Sequence, residues 1–535
     1  MMIDTWFGDH DTHSLGFLHL PDDGKVTGGV VLCPPLGYDH VLSYRAMRFV
    51  AQELAARGLA ALRFDYMGEG DSVGESGVEG APERWMASIA RAVEYLRESG
   101  IPHVALLGLG VGALLANEAA HAVDATALAL WDPELSGRRW LRRQRSLYEF
   151  TVGGRGSGDT NALLYLTLHP DAAAWLSARE ITPATLPVGI DSLVVGRRAR
   201  ADHTATLELT GSLPARVEYR SVTGQEELLE VTPGSDAVIP EETITGIVEW
   251  LAERLAGESL SPTPVVTDRA VVGLSLDGVP IVERLRRIGP HRLFAIETSL
   301  EGDSESGVVV LQPGGAEHRV GPGRFQVLTA RDLAARGRRA IRFDRRVTGD
   351  TTEVRPGEPT LIFADEWVDD TDQLIAELAS TDIVAHVGLC AGGWVAGRLA
   401  GRRPARLTVL LSPNYFKISP PRAGARTGIA RVMSAARLNF FHDLAASLEA
   451  SARMPDSTLA LLFTPEDTED FAARRGPNAV ARLRDGGADI RVTDYPFGDH
   501  SLFGEEVRTA MLSDLMALVE EAIPRSAAVT VGSPA

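Results

Sequence analysis

Cysteine is nearly absent: Cys33 and Cys390 are the only two in 535 residues. That excludes a disulfide framework and any thiolate zinc cluster, and it fits a reducing compartment. Lysine is as scarce, with Lys25 and Lys417 set against abundant arginine, a bias that points to a GC-rich bacterial coding sequence more than to a physical adaptation. Positive charge is in deficit overall. The 53 Lys+Arg against 72 Asp+Glu leave a net charge of -19, which opposes nonspecific binding to nucleic acid or to an anionic membrane. No run of about 18 apolar residues is uninterrupted by charge, and the opening Met-Met-Ile-Asp-Thr-Trp-Phe-Gly-Asp-His has no basic stretch leading into an apolar one. The expectation is a cytoplasmic protein. With no phosphate-binding P-loop and no cluster of metal-ligand residues, neither an organic cofactor nor a metal is expected.

What is present is enough apolar sequence for sizeable cores: 44% hydrophobic residues against 23% charged. A long-range repeat then decides the architecture. Residues 54–72 read LAARGLAALRFDYMGEGDS and residues 333–351 read LAARGRRAIRFDRRVTGDT, with Leu-Ala-Ala-Arg-Gly, Arg-Phe-Asp and Gly-Asp in register. About 40 residues later each copy runs from an apolar stretch through a glycine-rich turn into a helical pattern, VALLGLGVGALLANEAA and IVAHVGLCAGGWVAGRLA.

Short β-branched runs alternate with amphipathic helical stretches in both copies. GGVVLCPP, LAALRF, VALLGL, ALALWD, DSLVVG and ARVEYR read as strands in the first. GVVVLQPGG, RAIRF, IVAHVGL, LTVLLSP, LALLFTP and IRVTDYP read as strands in the second. Alternating βα units predict a mostly parallel sheet flanked by helices in each half. The expected organisation is residues 1–256, a Ser/Pro/Gly-rich linker at 257–267, residues 268–525 and a loose tail at 526–535. A helical insertion falls at 135–190 in the first copy and 414–452 in the second, the place for a lid. Both are rich in cations: Arg138, Arg139, Arg142, Arg143 and Arg145 in one, Lys417, Arg422, Arg426, Arg431 and Arg437 in the other. Such runs are usually solvated helix faces; the sharper reading is docking of an acidic carrier or a phosphate-bearing substrate.

In Gly388-Leu389-Cys390-Ala391-Gly392 a strand meets a helix through a tight turn with a nucleophile at its apex. The flanking glycines let strand and helix approach while the central residue takes strained backbone geometry. A thiol needs a base or a positive environment to react, and the start of the helix at Ala391 supplies part of the latter. His500, in Phe497-Gly498-Asp499-His500-Ser501, lies in the loop between the last strand and the final helix, where it can serve as base. Asp467, after the strand LALLF, is the expected orienting acid, with Glu466 in reserve. The chain order Cys390, Asp467, His500 is nucleophile, acid, histidine.

On these residues, and on Asp65-x-x-Gly68-x-Gly70-x-Ser72, both halves resemble α/β-hydrolase domains. The resemblance implies two tandem domains of that fold, with an oxyanion hole from the backbone N–H of Ala391 and a second donor near Gly314, Gly315 or Ala316, of which Gly315 is preferred. Cysteine in the elbow makes the second half similar to dienelactone hydrolases, polyhydroxyalkanoate synthases and thiol-dependent aminoacyl transferases. The first half departs from the pattern: Gly108-Leu109-Gly110-Val111-Gly112 has no nucleophile, and no histidine occurs between His203 and His291. Asp202-His203 lies nearer the acid position, and Cys33 reads as a packing residue. The first half is expected to be a degenerate domain that buttresses the second, shapes its entrance or binds a partner.

A cysteine that attacks a thioester stores the acyl group as another thioester, still activated, so transfer onward is feasible. The expected activity is acyl transfer or thioester hydrolysis on a small acyl ester or thioester, with an acyl or peptidyl carrier protein or coenzyme A as candidate partner. Ester or lactone hydrolysis and a non-catalytic scaffold are the alternatives.

Overall fold

The structure is a computed structural model that describes residues 1–9, 12–153, 161–197, 213, 216–230, 238–303, 307–315, 317–358, 363–378, 383–413, 456–473 and 476–523. The insertion at 414–452 with its five cations, the tail at 526–535, Ala316 and Asp202-His203 all lie outside the described residues.

Each half is built on one large, mostly parallel sheet flanked by helices. The first half contributes β1 (Met2–Phe7), β2 (Ser14–His19), β3 (Gly28–Cys33), β4 (Leu59–Phe64), β5 (Val104–Leu109), β6 (Ala127–Trp131), a short hairpin of β7 (Ala162–Leu163) and β8 (Leu166–Thr167), then β9 (Asp191–Arg197) and β10 (Val217–Val222). The hairpin stands apart; the other eight strands form one sheet in the order β1-β2-β4-β3-β5-β6-β9-β10. The second half contributes β11 (Arg269–Leu274), β12 (Pro280–Ile288), β13 (Leu293–Leu300), β14 (Val308–Gln312), β15 (Arg339–Phe343), β16 (Ile383–Leu389), β17 (Leu407–Leu411), β18 (Thr458–Phe463) and β19 (Asp489–Asp494). Their order is β11-β12-β13-β15-β14-β16-β17-β18-β19. All twelve strands read from the sequence are present and parallel among themselves. Five antiparallel strands at one edge of each sheet, β1 and β2, and β11 to β13, were not foreseen.

Strand periodicity explains why the parallel strands are almost continuously apolar. Val31 and Cys33 of β3 face one helical layer while Val30 and Leu32 face the other; in β14, Val308 and Val310 oppose Val309 and Leu311. The insertion between β6 and β9 carries the helix Gly137–Val152, the β7–β8 hairpin and the helix Pro170–Ser177. Arg138, Arg139 and Arg142 are exposed on that first helix, as a solvated face requires; Arg143 pairs with Glu134 and Arg145 donates to Asn161.

The segment expected as a linker is tied down along the first half. The Leu260 backbone bridges to Val26, Tyr95 Oη donates to the Val265 carbonyl at 3.0 Å, and Trp6 N donates to the Thr267 carbonyl at 2.8 Å. Trp6, Leu15 and Phe17 of the first half share a core with Val272, Ile281, Leu285, Phe294 and Ile296 of the second.

Beside that shared core, the repeated motif makes a reciprocal ionic interface. Arg63 pairs with Asp350 of the other half, and the aligned Arg342 pairs with Asp71 of the first. Arg319, fully buried, closes the set with ion pairs to Asp71 at 2.6 Å, Asp344 at 2.6 Å and Asp350 at 3.0 Å. Arg324 donates to the carbonyls of Gly68, Gly70, Ser72 and Gly74 at 2.7–2.9 Å. Contacts in which residue i of one unit meets residue j of the other, and j meets i, are the signature of a two-fold interface, here folded into one chain.

Candidate active site

β16 delivers Cys390 at its C-terminal end, and the helix Ala391–Ala400 starts at the next residue. The cysteine takes φ 51°, ψ -117°, a conformation that L side chains rarely adopt, and its N–H donates to the Leu411 carbonyl of the neighbouring strand at 2.9 Å. The flanking glycines are required by contact. A Cβ at Gly388 would stand 2.3 Å from the Gly392 carbonyl oxygen, and one at Gly392 would stand 2.4 Å from that of Pro313. The same closeness brings the loop after β14 against the elbow.

His500 and Asp467 meet Cys390 at this apex. His500 Nε2 lies 3.2 Å from Cys390 Sγ, and His500 Nδ1 lies 2.7 Å from Asp467 Oδ1. Asp467 is buried in the first turn of the helix Pro465–Ala473 and accepts from Thr464 Oγ1 at 2.6 Å, while Glu466 beside it is exposed. Of the two carboxylates considered from sequence, Asp467 is thus the one in contact. Burial by itself would lower the imidazole pKa, but the hydrogen bonds and charges of Asp467 and Cys390 raise it to about 10. Asp467 is displaced the other way: burial opposes ionisation, yet the hydrogen bond and charge of His500, with Thr464, hold the carboxyl below its usual range. Such shifts favour an imidazolium held between a carboxylate and a sulfur, the arrangement that activates a thiol as thiolate.

Ala391 is buried as the first residue of its helix, so its N–H has no acceptor within that helix. Gly315 has φ 26°, and its carbonyl and that of Gly314 both accept from Arg345 Nη2. Arg345 was missed in the sequence. Its guanidinium is buried, stacked 3.5 Å over Trp367, and interacts electrostatically with Cys390 and Glu317. The signal was its place one residue after the repeated Arg-Phe-Asp, at the same edge of the sheet as the elbow, since loops at the C-terminal ends of parallel strands converge on one crevice.

The first half keeps the turn, with glycine at its apex. Gly110 adopts φ 58°, ψ -123°, nearly the Cys390 geometry, and its N–H likewise donates to the next strand, at the Trp131 carbonyl. In the loop after β10, where the second half has its histidine, Leu229 approaches: a Cβ at Gly110 would lie 3.1 Å from Leu229 Cδ1. Gln225 there accepts from Trp131 Nε1 at 2.7 Å. Cys33 is fully buried and burial pushes its thiol far above the ordinary range, as an inert packing residue requires. Gly110→Ala is expected to cost about 1–2 kcal/mol of stability, from the positive φ and the Leu229 contact, with no change in the reactivity of Cys390. Denaturant unfolding alongside thiol alkylation checks both halves of that statement.

Among the described residues there is no group of three or more His, Cys, Asp or Glu that could hold a metal, and no helix is long and apolar enough to cross a membrane. No family model and no curated protein matches the chain. Solved structures similar to it include a proline iminopeptidase from Mycobacterium smegmatis, 15% identical over 48% of this chain and 99% of that one, with a TM-score of 0.33. Est1E from Butyrivibrio proteoclasticus with ferulic acid bound is 16% identical over 48% of this chain and 100% of its own, with a TM-score of 0.35. A dienelactone hydrolase from Anabaena variabilis is 16% identical over 45% and 97%, with a TM-score of 0.32.

Proposed function

We propose that the chain is an enzyme that moves acyl groups through a covalent intermediate on Cys390, acting on small acyl thioesters or esters by transfer or hydrolysis. The observation that carries this reading is the unbroken contact series from Cys390 Sγ through both nitrogens of His500 to Asp467.

In the first step the Cys390 thiolate attacks the acyl carbonyl. An S–C bond forms, the bond to the leaving group breaks, and His500 gives its proton to the departing thiolate or alkoxide. The Ala391 N–H and a donor from the Gly315 loop stabilise the oxyanion. In the second step His500 takes a proton from an acceptor thiol, amine or water, which attacks the thioester; the S–C bond breaks and the thiolate–imidazolium pair returns. Because the stored acyl group is itself a thioester, handing it to another thiol is nearly thermoneutral. That favours acyl transfer or thioester hydrolysis, and the exposed Arg138, Arg139 and Arg142 offer a face for an acidic carrier protein or the phosphates of coenzyme A. Hydrolysis of an ester or lactone is the second reading, favoured by the 25% exposure of the His500 side chain, which leaves room for water.

Intact-protein mass spectrometry after incubation with acyl-CoA and acyl-pantetheine thioesters tests the proposal. The expected result is an acyl adduct on wild type, absent from Cys390→Ala, that persists until a thiol or amine is added. Consumption of thioester without an adduct moves the reading to hydrolysis; an adduct retained in Cys390→Ala overturns the mechanism.

A further inference from the structure

The insertion of the degenerate first half reaches the histidine loop of the second. At the tip of the β7–β8 hairpin, Tyr165 is buried with φ 64°, and its hydroxyl oxygen lies 2.6 Å from Glu317 Oε1 and 3.0 Å from the carbonyl oxygen of Ser501, the residue after His500. Packing from both halves fixes that hydroxyl: the Tyr165 ring meets Tyr38 edge-on at 5.0 Å and Phe503 at 5.0 Å. The next two carbonyls of the loop, Leu502 and Phe503, each accept from Arg508 Nη1 at 2.7 Å. Every carbonyl from 501 to 503 therefore has a donor, and the one beside the histidine gets its donor from the other half.

The proton count is what makes this contact informative. A phenol has one proton, and here it has two acceptors. Both contacts are hydrogen bonds only when the Glu317 carboxyl carries a second proton and donates to the phenol oxygen. Glu317 Oε2 is buried without a hydrogen-bond partner among the described residues, which favours the neutral acid. We propose that Glu317 and Tyr165 form a relay between the halves, in which the protonated carboxyl donates to the phenol, the phenol donates to the Ser501 carbonyl, and the His500 loop is thereby held in register with Cys390. The relay rests on the reading of Cys390 and His500 as the reacting pair, and Tyr165 and Glu317 are positioning residues for it.

Ionisation of Glu317 breaks the relay, because the single phenol proton is then drawn to the carboxylate and the Ser501 carbonyl loses its donor. Burial raises this carboxyl to about 7, opposed by the hydrogen bond that the Tyr165 phenol donates to the ionised carboxylate and by Arg345 and Arg508. A raised carboxyl is protonated below that value, so the relay is intact on the acid side and lost as pH rises through it. Asp499 faces the phenol, and Tyr38 faces Glu317. The small cavity lined by Tyr165 and Glu317 is also lined by His40, His318, Glu69 and Arg324. Burial lowers the two histidines to about 4 and about 3, which keeps them neutral in this window. Glu69, raised by burial to about 7, titrates in the same range and needs its own control.

The test is the rate of Cys390 alkylation by iodoacetamide on the full chain, read by intact mass from pH 6 to 9. In wild type the rate is expected to fall about fivefold as pH rises through 7, the worth of one buried hydrogen bond. Glu317→Gln, whose amide N–H replaces the acid proton, keeps the pH 6 rate and removes the step. Tyr165→Phe, which preserves the ring packing, starts about fivefold slower and shows no step. Glu69→Gln leaves the step in place. A step that survives Glu317→Gln, or that disappears in Glu69→Gln, overturns the relay, as does a fast Cys390 indifferent to Tyr165→Phe. A wild-type rate equal to that of His500→Ala overturns the catalytic pair and the relay with it.

Discussion

Cys390→Ala is expected to lower the turnover of an acyl thioester by about 10⁴- to 10⁶-fold while the protein stays folded. The substitution removes one sulfur from a residue whose positive φ is imposed by the strand-to-helix turn, and alanine tolerates that turn about as well as cysteine does. The loss is therefore chemical. His500→Ala is expected to fall in the same range, because a neutral thiol without its base is a poor nucleophile and the leaving group has no proton donor. The double variant should be no slower than either single one, since groups that act as a unit are not additive. Asp467→Ala is expected to cost less, about 10²- to 10⁴-fold, because it orients and charges the imidazole without touching the acyl group. Single-turnover kinetics with an acyl-pantetheine thioester check the series. Additive losses would mean that cysteine and histidine serve different steps.

The elements that carry this site were legible because their sequence signals are local. Parallel strands buried on both faces read as apolar runs, and an elbow needs glycine at Gly388 and Gly392 for reasons visible in four or five residues. The antiparallel edge strands were hidden by the interface they serve. β12 carries the charged pair Glu283-Arg284 between Val282 and Leu285, a stretch that reads as half-exposed, yet Glu283 is fully buried beneath Arg342 and Arg331 of its own half. Arginine and carboxylate side chains are almost never fully buried without partners, and a sequence does not show the partner. The repeated Arg-Phe-Asp and Gly-Asp elements were readable as evidence of duplication. That they would also interlock, Arg63 with Asp350 and Arg342 with Asp71, required the two copies to be seen in space. Tyr165 is the extreme case, because it is 335 residues from His500 in sequence and acts through a neighbouring carbonyl.

Arg319→Met is expected to destabilise the protein by about 3–5 kcal/mol, because it leaves buried carboxylates without their shared cation. Arg319 is fully buried and ion-paired with Asp71, Asp344 and Asp350, and the methionine fills much of its volume, so the loss is electrostatic more than one of packing. The pH dependence identifies the cause. Burial opposes ionisation of Asp350, but Arg63, Arg319 and Arg48 hold its carboxyl well below the ordinary range, and Arg319 and Arg342 likewise hold Asp71 at about 2. A carboxyl depressed in the folded state contributes stability above its unfolded pKa and loses it as pH falls through the folded value. Removing Arg319 raises all three carboxyls, and burial already holds that of Asp344 above its ordinary range, so the variant takes up a proton above the unfolded range and its deficit shrinks as pH falls from 7 to 5. Asp350→Asn placed on Arg319→Met should recover part of the loss by removing one of the stranded charges. Urea unfolding followed by tryptophan fluorescence at the two pH values measures all three quantities. A deficit that is the same at pH 5 and pH 7 would assign the loss to packing and remove the ionic interface as the element that couples the first half to the half that holds Cys390.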